Sequence, residues 1–376
     1  MTKANSESRR TLSIYCCNLK REILCGILLI IIIAAIVVSV LIPTVIVKKN
    51  KTGSSSTITT TTTAAASKPT IITTTDRAAM FHNQVTYSTN SNRQSIAAMD
   101  LNNDDMPDIV VAMFGGSTIN IFFNTRNGTF NKRMSYATGT HPLGVALGDV
   151  TGDNKADIVV ANNADYTVSV LHNVGDGTFL SQSTFLGQTA YTAGAYAQAP
   201  IVADLNDDKR PDIVAVNGDS NTTSIFFNAG NGTFLNQTIY AVGSTPSSVA
   251  VCDVNLDTKP DIVVLNQRWN SVSILLNVGN GTFLDQRTYT VGNMPNSLAI
   301  ADMNLDTKPD IVVTNWASHT ISVLLNAGKG TFPNQISYTT GRHPVPLAVL
   351  NLNGDNKPDV VVANSGSNNI GVFLHR

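Results

Sequence analysis

The chain has 376 residues and a formal net charge of −1, with 26 acidic residues, 25 basic residues and six histidines. This near-neutral balance, without a visible basic stripe, argues against nucleic-acid binding. Glu22 is the last glutamate, so every later carboxylate side chain is an aspartate.

An uncharged apolar segment follows the basic N-terminal region. Residues 23–47 carry no charge, and this length is sufficient for one helix to cross a bilayer. A cleaved signal peptide is the alternative, but its apolar region is normally only about 7–15 residues long. Basic residues are more numerous before the segment than after it, which favours a cytoplasmic N-terminus. We therefore predict a type II single-pass protein of the plasma membrane, with a cytoplasmic tail over 1–22 and a signal-anchor helix over 23–47.

Residues 48–80 are predicted to form a stalk. Positions 52–75 contain 11 threonines and four serines, a composition that cannot build a core and is typical of an extended, O-glycosylated segment. A bare flexible linker would serve the same spacing role. Sequons of the form Asn-x-Ser/Thr occur only after the apolar segment, in agreement with an extracellular location. The predicted N-glycosylation sites are Asn127, Asn221, Asn231, Asn236 and Asn280.

Beyond residue 80 the chain repeats, six times, a nine-residue loop of the form Asp-x-Asn-x-Asp-x-x-x-Asp. The steps between copies are 49, 55, 49, 49 and 49 residues, and 17 of the acidic residues lie at loop positions 1, 5 and 9. A nearly fixed period of this length is typical of a repeat architecture. The copies begin at Asp100, Asp149, Asp204, Asp253, Asp302 and Asn351.

The loops are predicted to bind calcium. Three like charges within nine residues are costly unless a cation compensates them, and oxygens at alternating positions of a tight turn suit Ca²⁺. We expect up to six structural Ca²⁺ ions, with side-chain ligands at positions 1, 3, 5 and 9 and a backbone carbonyl at position 7. The sixth loop has one charge fewer and should bind most weakly. The predicted ligands are Asp100, Asn102, Asp104, Met106, Asp108, Asp149, Thr151, Asp153, Lys155, Asp157, Asp204, Asn206, Asp208, Arg210, Asp212, Asp253, Asn255, Asp257, Lys259, Asp261, Asp302, Asn304, Asp306, Lys308, Asp310, Asn351, Asn353, Asp355, Lys357 and Asp359.

Metal-free turns are the alternative, because Asp and Asn also favour turns through local hydrogen bonds. Six copies in register favour calcium instead. An EF-hand fits poorly, since its loop has 12 residues, lies between helices and ends in Glu.

Each repeat predicts four short strands. In the fourth repeat these cover 248–251, 261–265 and 271–276, with a last strand that begins near Asn280 and ends near Tyr289. β-branched runs bounded by Gly, Asn and Asp indicate an all-β fold, and four strands in about 40–50 residues are typical of a propeller blade.

The fourth strands share an aromatic pair whose members are six residues apart. The sixth repeat ends after its third strand, and the missing pair occurs before the first loop as Phe81 and Tyr87. We therefore expect the N-terminal strand to complete the sixth blade and close the ring, which removes an open sheet edge. The other pairs are Phe130 and Tyr136, Phe179 and Phe185, Phe234 and Tyr240, Phe283 and Tyr289, and Phe332 and Tyr338.

The repeats over residues 81–376 resemble the FG-GAP/VCBS repeats of calcium-binding β-propellers, which include the heads of integrin α-subunits. The matching segments are of the types VAVCDVNLDTKPDIVVLN and NVGNGTF. The resemblance implies a six-bladed, calcium-binding β-propeller over 81–376, preceded by one transmembrane helix. It does not specify the ligand, because propellers of this kind serve adhesion, lectin and enzyme functions alike.

Strand alternation predicts two functional ends of the sheets. The metal loops and Asn-Gly-Thr-Phe turns share the end that the stalk joins, while the second-to-third turns and the links between repeats share the outward end. Exposed Trp, Tyr and Arg dominate binding hot spots, although such side chains can also face solvent without a ligand. A six-residue insertion near 188–198 is expected to add two tyrosines to an outward link. The predicted ligand-binding residues are Trp269, Trp316, Arg268, His319, Tyr166, Tyr191, Tyr196 and Arg342.

The sequence predicts a recognition or adhesion module for an extracellular glycan or protein, with a monomeric ectodomain and no enzymatic activity. A carbohydrate-active lyase or hydrolase is the main alternative, and a passive surface coat is a third. Glycoside hydrolysis usually requires two flanking carboxylates. Outside the metal loops only Asp165 and Asp219 map to the outward end, and no Ser-His-Asp arrangement stands out.

Overall fold

The computed structural model describes Tyr87, Thr89 and residues 95–125, 129–179 and 188–376. The predicted cytoplasmic tail, signal-anchor helix and stalk lie outside these residues. Within the described ranges, no helix is long and apolar enough to cross a membrane. The regular structure in these ranges is a series of β-strands and one short 3₁₀ helix, η1 (Phe114–Gly116).

Each repeat forms one antiparallel sheet whose strands are neighbours in sequence order. Among the described residues, sheets 1 to 5 have four strands and sheet 6 has three. Sheet 1 contains β1 (Ile96–Met99), β2 (Asp108–Met113), β3 (Thr118–Asn124) and β4 (Phe130–Ala137); sheet 2 contains β5 (Pro142–Gly148), β6 (Asp157–Asn162), β7 (Thr167–Leu171) and β8 (Gln188–Thr192); and sheet 3 contains β9 (Ala197–Ala203), β10 (Asp212–Asn217), β11 (Thr222–Phe226) and β14 (Thr238–Ala241). Sheet 4 contains β15 (Pro246–Cys252), β16 (Asp261–Asn266), β17 (Ser271–Leu275) and β20 (Arg287–Thr290); sheet 5 contains β21 (Pro295–Ala301), β22 (Asp310–Asn315), β23 (Thr320–Leu325) and β24 (Asn334–Thr339); and sheet 6 contains β25 (Pro344–Leu350), β26 (Asp359–Asn364) and β27 (Asn369–Phe373).

In sheets 3 and 4 the Asn-Gly-Thr-Phe turn does not begin the fourth strand, contrary to the sequence prediction, whereas in sheet 1 the fourth strand does begin at Phe130. In sheet 3 the turn pairs β12 (Asn228–Gly230) with β13 (Thr233–Phe234), and in sheet 4 it pairs β18 (Asn277–Gly279) with β19 (Thr282–Phe283). In both sheets the fourth strand proper starts four residues after the phenylalanine of the turn. The tight turn therefore closes its own two-stranded ribbon, which leaves β14 and β20 to pair with the third strands.

Apolar side chains fill the space between consecutive sheets. Val263 and Ile274 of sheet 4, for example, pack with Ile311 and Leu324 of sheet 5, and all four are buried. The central residues of the second strands are almost all apolar because both faces of these strands are covered. Each large side chain buried in this way contributes roughly 1.5–3 kcal/mol to folding.

A tyrosine–phenylalanine contact joins each sheet to the next. The Tyr136 ring meets the Phe179 ring edge-on, with centroids 5.6 Å apart, and the Tyr136 hydroxyl accepts a hydrogen bond from the Phe179 amide. From sheet 1 to sheet 5 these contacts therefore join residues 43 apart in neighbouring repeats rather than residues of one strand, and Tyr338 of sheet 5 contacts Phe373 of sheet 6. The corresponding contacts are Tyr191 with Phe234, Tyr240 with Phe283, and Tyr289 with Phe332.

Candidate metal loops and recognition surface

The aspartate at loop position 9 is fully buried in all six repeats. In sheet 4, Asp261 accepts the Val254 amide at 3.0 Å on one oxygen and the Asn277 amide at 2.8 Å on the other. One carboxylate thus ties the metal loop to the end of the third strand. The same two hydrogen bonds occur in every repeat, at Asp108, Asp157, Asp212, Asp310 and Asp359.

Burial makes four of these carboxylates costly to ionise. It raises the pKa of Asp212 to about 7 and the pKa values of Asp108 and Asp261 to about 6, although both backbone hydrogen bonds favour the ionised form. Asp310 is shifted in the same direction for the same reason. The neighbouring loop aspartates add to the increase. A cation in the loop would offset both the burial and this repulsion.

Other side-chain oxygens of each loop accept hydrogen bonds from backbone amides of the same loop. In the fourth loop, the Asp253 carboxylate accepts the amides of Asp257 and Thr258, the Asn255 amide oxygen also accepts the Asp257 amide, and Asp257 accepts the Lys259 amide. Positions 4 and 6 must then adopt left-handed backbone conformations. Leu256 has φ 63° and Thr258 has φ 72°, which is unfavourable for a bulky or β-branched side chain.

Position 7 carries a cationic side chain in five loops, and in four of them it forms an ion pair with the aspartate at position 5. The Lys308 ammonium lies 2.7 Å from the Asp306 carboxylate, and this hydrogen bond lowers the pKa of Asp306. The equivalent pairs are Lys155 with Asp153, Arg210 with Asp208, and Lys259 with Asp257. In the first loop the position is Met106, and in the sixth Lys357 donates to the Arg376 carbonyl. The cationic side chain therefore partly compensates a predicted calcium ligand.

The side-chain and backbone oxygens of the loops are of the kinds that calcium binds in proteins. Each loop offers carboxylate and backbone carbonyl oxygens, and most also offer an amide oxygen, which are the ligands of a hard cation. In the part of the chain that the structure describes, no group of three or more His, Cys, Asp or Glu side chains converges on a metal position. The loop carboxylates instead accept backbone amides.

In sheets 2 to 5 an asparagine after the third strand links the metal loop to the preceding one, and sequence reasoning missed it. The Asn277 side chain donates to the Leu205 carbonyl in the third loop and to the Pro260 carbonyl in its own. Its signal in the sequence is an asparagine 16 residues after the position-9 aspartate. His375 occupies this position in sheet 6, and its ring lies 2.9 Å from the Met303 carbonyl.

The outward end of the sheets carries most of the predicted ligand-binding residues. Trp269 and Arg268 lie between β16 and β17, and Trp269 is 58% exposed. Trp316 and His319 lie between β22 and β23, and Tyr166 lies between β6 and β7. Tyr196 and Arg342 lie in the links before β9 and β25. Turns and links meet at this end, since the Trp316 amide donates to the Met294 carbonyl and the Gly366 amide donates to the Arg342 carbonyl.

Tyr191 does not belong to this surface, which corrects the sequence prediction. It lies within β8, where its ring packs against Phe226 and Phe234 and its hydroxyl accepts the Phe234 amide at 3.0 Å. Tyr191 thus takes the position of Tyr136 in the first repeat. The six-residue insertion therefore lies before β8 and not in the outward link, because Tyr191, 12 residues after Phe179, makes the contact between sheets that Tyr136, six residues after Phe130, makes in the first repeat.

His319 has a bracing role as well as a surface position. Its Nδ1 accepts the backbone amide of His343 at 3.1 Å, while the His343 ring stacks on Trp316 with centroids 4.0 Å apart. In sheets 4 and 3 the side chains of Asn270 and Asn221 accept the equivalent backbone amides, those of Met294 and Thr245. His319 therefore joins the turn of sheet 5 to the link that enters sheet 6.

Replacing His319 with Ala is expected to lower the free energy of unfolding by about 1 kcal/mol, since one brace between sheets is lost. His319→Asn should retain most of the stability, because asparagine makes this brace in the two preceding sheets. Urea unfolding of the full chain in calcium measures both variants. If the Ala and Asn variants lost the same free energy of unfolding, the hydrogen bond from the His343 amide to position 319 would not account for the loss.

The four predicted glycosylation sites in the described ranges are exposed asparagines: Asn221, Asn231, Asn236 and Asn280. Asn127 lies outside those ranges. Three of the four lie near the metal-loop end, and Asn221 lies in the turn between β10 and β11.

Together these features define an all-β protein built from consecutive four-stranded sheets with an acidic loop at one end. The FG-GAP-like repeat model matches residues 100–160, 149–215, 204–264, 253–313 and 302–362, so the chain belongs to the FG-GAP repeat family, as its motifs predicted. No curated protein matches the chain.

Solved structures of similar fold are β-propeller-like and serve different functions. An Agrocybe aegerita lectin that recognises non-reducing terminal N-acetylglucosamine is 22% identical, with TM-score 0.50, over 74% of this chain and 79% of that chain. BBS1N in complex with ARL6DN is 15% identical, with TM-score 0.51, over 75% and 80%. A putative 6-phosphogluconolactonase from Bacteroides uniformis is 16% identical, with TM-score 0.52, over 72% and 79%. At these identities the likeness concerns the fold alone.

Proposed function

We propose that the protein is a membrane-anchored, extracellular recognition module that binds a glycan or protein ligand at the outward end of its sheets. One observation carries this proposal: Trp269, Trp316 and Arg342 lie on three consecutive sheets, in turns and links joined by hydrogen bonds. Trp and Arg are the side chains most often found at the centres of binding sites. The membrane anchor rests on residues 23–47 of the sequence.

The six sheets are proposed to close into a ring through the N-terminal strand. The edge strand β27 exposes Ile370 and Val372, whereas the equivalent Val272 and Ile274 of sheet 4 are fully buried beside their fourth strand. Unpaired apolar edges favour aggregation and are normally covered. Tyr87 precedes Phe130 by 43 residues, the spacing of the four tyrosine–phenylalanine contacts that join sheets 1 to 5 in succession.

Calcium is proposed as a structural ion at the opposite end. When bound, it would supply positive charge to the loop carboxylates. The residues that would hold it are the aspartates, asparagines and position-7 carbonyls of the loops. Their buried position-9 carboxylates support this role, because a buried charge is stable only with compensation.

Lys308→Met is expected to tighten calcium binding to the fifth loop by about tenfold or less, because affinity rises with the net ligand charge. The ammonium would no longer compete for the Asp306 carboxylate. Calorimetric titration of the full chain measures the change. Lys329→Met is the matched control, since it removes the same charge outside the nine-residue loops. Unchanged or weaker calcium binding by Lys308→Met would contradict the competition.

The recognition function is tested on a broad glycan array and by proximity labelling of cell-surface proteins, both in calcium. Selective binding should be lost in the Trp269→Ala, Trp316→Ala double variant. It should persist in Leu284→Ala, which truncates a 47% exposed side chain near the metal-loop end. Ligand binding that survives the double variant would reject the outward surface as the site. Turnover of a bound glycan would instead favour the carbohydrate-active enzyme.

A further inference from the structure

The outward surface is unevenly charged. Over sheets 4 to 6 it is formed by residues 267–270, 292–294, 316–319, 341–343 and 365–368, which contain two arginines and two histidines but no Asp or Glu. Arg268 and Arg342 are exposed. Over sheets 2 and 3 the equivalent turns contain Asp165 and Asp219, both exposed. A surface with cationic side chains and no local carboxylate favours an anionic partner.

The same surface carries apolar side chains in turns and a link that are hydrogen-bonded to one another. Trp269 adjoins Asn270, whose side chain accepts the Met294 amide at 2.8 Å. The Met294 carbonyl in turn accepts the Trp316 amide at 2.9 Å, and Trp316 stacks on the His343 ring. Trp269 is 58% and Met294 is 43% exposed. An exposed indole, an exposed thioether and a partly exposed indole therefore lie in hydrogen-bonded turns and a link of sheets 4 and 5, and the exposed Arg268 and Arg342 belong to the same set of turns and links.

We propose that this surface binds carbohydrate that carries carboxylate or sulfate groups, and the proposal rests on the recognition function above. Indole rings offer a flat apolar face to a sugar ring, while the guanidinium fork of arginine matches a planar or tetrahedral oxyanion. Arg268 lies beside Trp269, and Arg342 lies beside His343, which covers Trp316. Each half of the surface therefore pairs one stacking side chain with one anion-binding side chain.

The assignment favours carbohydrate over an acidic protein segment for a structural reason. The exposed Trp269 and the partly exposed Trp316 lie in turns braced by backbone hydrogen bonds, including those from the Trp316 amide to Met294 and from the Arg268 amide to Ser244. A preformed surface of stacked and exposed rings suits a rigid ring ligand at small cost in conformational entropy. An extended acidic peptide would use the charges and leave the indole faces without a matching flat partner.

The test measures binding of the full chain, in detergent and calcium, to three immobilised polysaccharides: heparin, polygalacturonate and neutral dextran. We expect binding to at least one anionic polymer, none to dextran, and weaker binding at higher ionic strength because exposed charges are screened. Heparin and polygalacturonate separate sulfate from carboxylate recognition. Arg268→Gln and Arg342→Gln should each lower the affinity by about tenfold, as expected for a lost charged hydrogen bond.

Matched variants separate the site from general charge attraction. Trp269→Ala should lower the affinity for the anionic polymer without changing the net charge. Arg287→Gln removes the same charge from an exposed arginine in β20 and should leave the affinity unchanged. Equal losses in Arg287→Gln and Arg268→Gln, or full binding by Trp269→Ala, would overturn the proposal. If the chain bound only neutral glycans, the anionic-carbohydrate proposal would be overturned but the proposed recognition function would stand. If it bound only a protein ligand, a carbohydrate site of any kind would be rejected.

Discussion

Removing calcium from the full chain with a chelator is expected to lower its melting temperature by about 10 °C or more. A ligand present at about 100 times its dissociation constant stabilises the folded state by about 2.7 kcal/mol per site, and 1 kcal/mol shifts the midpoint of a domain of this size by about 2–4 °C. The loss would come from uncompensated charge around buried aspartates such as Asp212 and Asp261.

Differential scanning calorimetry measures this change, with the midpoint restored on adding calcium in excess of the chelator. Magnesium is the control, because it prefers six ligands in strict octahedral geometry and keeps much of its water. Equal midpoints in chelator and in calcium would reject a structural role for the ion.

Asp261→Asn is expected to lower the free energy of unfolding by about 3 kcal/mol. The wild-type carboxylate accepts the Val254 and Asn277 amides, one on each oxygen. An asparagine can accept only one of them, and its amide nitrogen then faces the other donor in a fully buried site. Urea unfolding of the full chain, in calcium and in chelator, measures the loss.

Asp257→Asn is the matched control within the same loop, since it removes a predicted calcium ligand charge from a side chain that is 37% exposed. In chelator, Asp257→Asn should cost little, while Asp261→Asn should remain strongly destabilising. Equal effects of the two substitutions in chelator would show that the buried carboxylate is not a brace between the loop and the third strand.

Local spacing made much of the architecture predictable. The 49-residue period, the β-branched runs and the acidic loops indicated four-stranded antiparallel repeats of the FG-GAP type, and the family match and the sheets confirm this. The positions of Trp269, Trp316 and Arg342 in outward turns and links also followed from strand alternation. These features depend on residues that are close in sequence, where propensity and hydrophobic pattern act directly.

Contacts between repeats could not be predicted in the same way. The sequence pattern paired Phe179 with Phe185, but the packing of neighbouring sheets pairs Phe179 with Tyr136 and moves Tyr191 from the recognition surface to the boundary between sheets 2 and 3. Which rings meet across that boundary depends on how two sheets pack face to face.

The sequence by itself determined the repeat, the strand order and the acidic loops, because each is encoded within about 50 consecutive residues. Only the tertiary structure decided what the polar positions that recur in each repeat do across sheets. It showed that Asp261 is buried and braced by two amides, that Asn277 joins its loop to the preceding one, and that His319 replaces an asparagine brace. Burial and hydrogen-bond partners arise from segments far apart in the chain, so no local pattern contains them.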